Sequence, residues 1–78
     1  MKLRYFLRIG NDYLEQAQPY RTMAEAKAAY KAVASELARY GQAIDATIHM
    51  ADNAEDTVEY PDFLLTLNEH GRVVVENT

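Results

Sequence analysis

The sequence predicts an α+β domain in which a single helix packs on one face of an antiparallel sheet, in the order ββαβββ. Three observations predict it. Residues 2–9 alternate polar and apolar side chains with a period of two, as a half-buried strand does. Residues 22–40 carry a capped, amphipathic helical pattern. Asn68-Glu69-His70-Gly71 joins two alternating runs in a phase that keeps both apolar sets on one side.

In the first strand Leu3, Tyr5, Leu7 and Ile9 share one face, and Lys2, Arg4, Phe6 and Arg8 share the other. Gly10-Asn11-Asp12 has the composition of a turn with positive φ. Residues 13–18 are expected to return as a short second strand, with Pro19 at its end or edge because proline has no amide hydrogen to donate.

The helix is expected over about residues 22–40. Thr22 and Glu25 have the spacing of a capping box, and Ala, Glu, Lys and Leu favour the interior. Gly41 supplies a left-handed stop. Met23, Ala26, Tyr30, Val33, Ala34 and Leu37 form the expected apolar stripe.

In the third strand, residues 43–50, Ile44, Ala46, Ile48 and Met50 are expected inward, with Asp45, Thr47 and His49 outward. After a polar connection, Phe63, Leu65 and Leu67 make the inward face of the fourth strand. A three-residue hairpin loop with its bulge at Gly71 sets Leu67 opposite Val73 and Leu65 opposite Val75.

The 78 residues allow one domain, residues 1–78, whose helix covers only one face of the sheet. Absence of cysteine excludes a disulfide framework and thiolate metal sites. No apolar run approaches the roughly 18 residues of a membrane span, and residues 1–10 lack a signal-peptide core. The expectation is a cytoplasmic protein with no membrane contact. A net charge of −4 argues against sequence-independent nucleic-acid binding.

The residues do not suggest an enzyme. His70 falls at a turn tip, and His49 falls on the outward side of a strand, about 13 Å along it from Asp45. Ser35, the only serine, is mid-helix, without the strand-to-helix elbow a nucleophile uses. The glycines are scattered, and the acidic connection lacks the spacing and central glycine of a calcium loop. No catalytic residue, metal or cofactor is expected.

Two surfaces are left as candidates for partner binding. The first is the uncovered sheet face, with Lys2, Arg4, Phe6, Arg8, Leu64, Arg72 and Val74: apolar residues rimmed by cations, the composition that interface hot spots favour. The second is the acidic connection, with Asp52, Glu55, Asp56, Glu59 and Asp62 and no base among them. A plainer reading pairs Arg4, Arg8 and Arg72 with Glu15, Asp45 or Glu76 across strands. A nucleic-acid reading stacks bases on Phe6 and sets phosphates on Arg4 and Arg8.

An N-terminal hairpin, a helix opening as Tyr20-Arg21-Thr22-Met23-Ala24-Glu25-Ala26-Lys27, and a strand after Arg39-Tyr40-Gly41 resemble small accessory proteins of phages, plasmids and integrative elements. Glu59-Tyr60-Pro61-Asp62-Phe63 and the Asn68-Glu69-His70-Gly71 hairpin add to the likeness, which includes small anti-CRISPR proteins. The resemblance implies a non-catalytic, stoichiometric binder that occupies a surface of a protein partner such as a host defence complex. The alternatives are a nucleic-acid-binding protein using the basic and aromatic sheet face, and a structural homodimer.

Overall fold

A computed structural model describes residues 4–10, 12–53, 57 and 59–78. Its elements are β1 (Arg4–Ile9), a 3-10 turn (Leu14–Gln16), β2 (Gln18–Tyr20), α1 (Met23–Ala38), β3 (Ala46–Ala51), β4 (Phe63–Leu67) and β5 (Val73–Asn77). The strands form one antiparallel sheet in the order β2-β1-β3-β4-β5, with α1 across one face. The ββαβββ order and the α+β class are those the sequence predicts.

Register explains why the alternating runs cooperate. Leu7 lies opposite Ile48 and Ile9 opposite Ala46. Ala46 in turn lies opposite Leu65, and Leu65 opposite Val75, with Leu67 opposite Val73 as the hairpin spacing requires. Each inward set therefore continues its neighbour's, and Leu7, Ala46, Ile48 and Leu65 are buried beneath Ala26, Tyr30 and Ala34 of the helix. Burying a side chain the size of Ile48 or Leu65 contributes about 1.5–3 kcal/mol.

The helix begins where Thr22 Oγ1 accepts the Glu25 amide at 3.1 Å, satisfying one of the free N–H groups of the first turn. It ends in a Schellman arrangement. The Gln42 amide reaches the Leu37 carbonyl and the Gly41 amide the Ala38 carbonyl, each at 3.0 Å, and Gly41 takes φ +74°.

Ala26, Tyr30 and Ala34 lie one turn apart, and the two alanines bring the helix close to the sheet on either side of the ring. Tyr30 has no exposed surface. Its hydroxyl donates to the Ile44 carbonyl at 2.6 Å, so the helix is joined to the chain entering β3. Burial, and secondarily the Asp45 carboxylate, raise the Tyr30 pKa above its ordinary value of 10.

Two expectations are corrected. The second strand is Gln18–Tyr20 rather than residues 13–18, because Leu14-Glu15-Gln16 favours a helical turn, closed by the Gln16 amide to the Tyr13 carbonyl and the Ala17 amide to the Leu14 carbonyl. Pro19 is tolerated inside β2 because that strand is a sheet edge. Val33, assigned to the apolar stripe, is 39% exposed. It stands roughly 60° around the helix from Tyr30, on the shoulder of the buried ridge.

Gly10 has φ +62°, and a Cβ there would stand 2.9 Å from Ile44 Cδ1. Gly10→Ala should cost about 1–2 kcal/mol in urea unfolding, chiefly for the left-handed backbone. Tyr30→Phe should cost about 1 kcal/mol near neutrality, since the Ile44 carbonyl loses its donor. Because the folded pKa of Tyr30 is raised, its proton contributes stability that is full below pH 10 and lost as pH rises through the folded value. Wild type should therefore lose more stability than Tyr30→Phe in urea titrations taken from about pH 9 to pH 11.

Candidate functional site

The sheet face opposite the helix carries, by register, Arg4, Phe6 and Arg8 of β1, Thr47, His49 and Ala51 of β3, Leu64 and Thr66 of β4, and Val74 and Glu76 of β5. Its two halves differ. At the β1–β3 half Phe6 lies between Pro19 and His49. Phe6 is 4% exposed and His49 1%. The helix is on the other side, so their cover comes from the rest of the chain. Glu59, in the connection between β3 and β4, is paired with Arg8 at this half.

A polar row runs along that half. Arg8 Nη1 donates to Glu59 Oε1 at 3.0 Å, and Arg8 Nε donates to Thr47 Oγ1 at 3.3 Å. Thr47 Oγ1 and His49 Nε2 share a hydrogen bond of 3.0 Å. Thr47 sits opposite Arg8 in the ladder and two residues from His49, so strand pairing alone brings the three together. The row meets the hydrogen-bonding needs of polar groups taken out of water. His49, expected to face solvent, is thus a buried member of the sheet's outer layer.

The acidic connection has internal work as well. Asp62 Oδ2 accepts the Met50 amide at 2.7 Å, and the Asp62 amide donates to the Ile48 carbonyl at 2.8 Å. Asp62 therefore continues the β3–β4 pairing beyond the strand end. Glu59 is held by Arg8, its carboxylate still largely exposed, and Asp52 is half-buried. Glu55 and Asp56 lie outside the described residues, as does Lys2 of the sheet-face set.

The proposed sheet-face residues are accordingly separated. Phe6 is corrected from an exposed to a buried side chain, which removes it as a platform for stacking bases. Arg8 is half-buried and pairs with Glu59 rather than with Asp45 or Glu76. Arg4 and Arg72 remain exposed. Leu64 is half-buried and Val74 is 36% exposed, so the open half of the face is its β4–β5 end.

The structure also assembles a cluster that the sequence reading did not. Lys27, Ala28 and Lys31 of α1 and Arg72 and Val73 of the second hairpin line a shallow cleft of about 280 Å³. The i, i+4 spacing of Lys27 and Lys31 was legible. Their approach to Arg72 depends on where β5 lies in the sheet. His70 stands apart from both clusters, at the hairpin tip beside Glu69, 3.6 Å from it. Among the described residues no three His, Cys, Asp or Glu side chains are grouped to hold a metal, and no helix is long and apolar enough to cross a membrane. No protein-family model matches the chain, and no curated protein or solved structure matches it significantly.

Burial of Phe6 gives a direct test of this division. Phe6→Ala should cost about 3–5 kcal/mol in urea unfolding, as a core aromatic does. Glu59→Gln, which removes only a partly exposed ion pair, should cost less than about 1 kcal/mol.

Proposed function

We propose that this chain is a non-catalytic protein-binding module whose contact surface is the outer face of the β4–β5 hairpin. The observation that carries the reading is the exposure of Val74 on a sheet face that is covered elsewhere, at Phe6 and His49. Leu64 adds half-buried apolar surface beside it, and Arg72 and Glu76 flank it with opposite charges. A partner suited to this surface is a folded protein that offers an apolar centre and charges of both signs at its rim.

The finer reading is an intracellular, stoichiometric inhibitor from a mobile element, directed at a host defence complex. It follows from the resemblance in element order and rhythm. It is supported by a connection whose Asp52 and Glu59, with Glu55 and Asp56 between them in sequence, would draw a basic surface into encounter. A homodimer through the same face is the competing use of the patch.

The test is capture from host lysate with wild-type bait and with a Leu64→Glu/Val74→Glu variant, whose fold is checked by circular dichroism and urea unfolding. The expected result is one partner recovered in stoichiometric amount by wild type and bound about ten- to a hundredfold more weakly by the variant. Equal capture by a folded variant, or no partner at micromolar bait, overturns the reading. A concentration-dependent dimer abolished by the same substitutions assigns the face to a second copy.

A further inference from the structure

The β5 edge of the sheet lies beside the basic cleft, and the two together define a second surface. β5 is the last strand in the sheet order, so one side of its backbone has no strand against it among the described residues. The hydrogen-bond phase identifies the free groups. The Asn68 amide donates to the Arg72 carbonyl at 2.9 Å, and the Thr78 amide to the Asp62 carbonyl at 3.3 Å. Even-numbered residues of β5 therefore turn their amides and carbonyls toward β4. Val73, Val75 and Asn77 turn theirs outward, because bonding direction alternates along an antiparallel strand.

The same residues decide which face an added strand would present to the cleft. Val73 and Val75 have their side chains on the helix side, packed against the core. A residue paired with either through its backbone would also point its side chain to the helix side. Lys27 and Lys31 stand there, with Arg72 at the end of the strand. None of the three has an acidic partner among the described residues; the ion pairs formed are Arg8–Glu59, Arg39–Glu36 and His70–Glu69. Two lysines one turn apart repel each other, and in a chain of net charge −4 their clustering with an arginine is a local excess of positive charge.

We propose that the β5 edge receives an extended acidic segment of a partner protein by strand addition, with carboxylates at alternate positions meeting Lys27 and Lys31. Backbone bonds to Val73, Val75 and Asn77 supply the docking, and the lysines select the sequence. Charge favours this occupant over a second copy. Self-pairing of β5 would place only the uncharged Val73, Val75 and Asn77 on the helix side and would bring two sets of lysines toward each other, a device that edge strands use to discourage such pairing. The edge is distinct from the outer face, so Leu64→Glu/Val74→Glu serves as a control that should leave it intact.

The test titrates the ¹⁵N-labelled full chain at low salt with capped peptides of about eight residues that alternate glutamate with valine or threonine, and with their glutamine counterparts. The expected result is shifted and exchange-protected amides at Val73, Val75 and Asn77. Binding should weaken about tenfold for the glutamine peptide, and similarly for Lys27→Glu/Lys31→Glu with the acidic peptide. Both lysines lie on the helix surface, and Lys27→Gln/Lys31→Gln provides a milder second variant. Three results overturn the proposal: unmoved β5 amides at millimolar acidic peptide, equal binding of acidic and glutamine peptides, or β5 amides already protected in a dimer of the chain alone.

Discussion

The fold depends on Tyr30. A single helix must hold a five-stranded sheet together, and it does so where one ring is fully buried between two alanines and its hydroxyl meets the carbonyl of Ile44. The small residues on either side let the helix come close, and the hydroxyl fixes its position relative to the entry into β3. Gly10 meets the same point from the other side, its amide bonded to the Asp45 carbonyl at 2.8 Å. The end of β1, the middle of α1 and the entry to β3 are thereby tied at one place.

A second constraint acts on the opposite face. A sheet with one helix leaves half of its surface to be covered or exposed, and this chain does some of each. Asp62 pairs with the backbone of β3 and Glu59 with Arg8 of β1, so both residues of the connection are tied to the central strands. Phe6 and His49 are buried on this face, beside a half-buried polar row of Arg8 and Thr47 that ends at His49. The β4–β5 hairpin lies outside that cover. Its face keeps Val74 accessible, its edge has no further strand against it among the described residues, and its turn delivers Arg72 toward the lysines of α1.

Much of this was legible because strand phase is local. The inward sets of β1, β3, β4 and β5, the helix with its Thr22 cap and Gly41 stop, and the Leu67–Val73 register all follow from spacing within a few residues. The candidate site was less legible. Whether Phe6 faces solvent depends on what packs over the outer side of the sheet, and the alternation within β1 does not say so. The partner of Arg8 could not be read for the same reason, since Glu59 is 51 positions away in the chain. His49 was placed on the correct face, but a face assignment does not specify burial.

By itself the sequence determined the order of the elements, the helix with its cap and stop, and which side of β1, β3, β4 and β5 is apolar, because turn chemistry, capping and hydrophobic period are properties of short segments. Only the tertiary structure decided the order of strands in the sheet, the cover over Phe6 and His49, and the meeting of Lys27 and Lys31 with Arg72. Those outcomes depend on contacts between residues far apart in the chain, and their geometry is fixed by how whole elements pack.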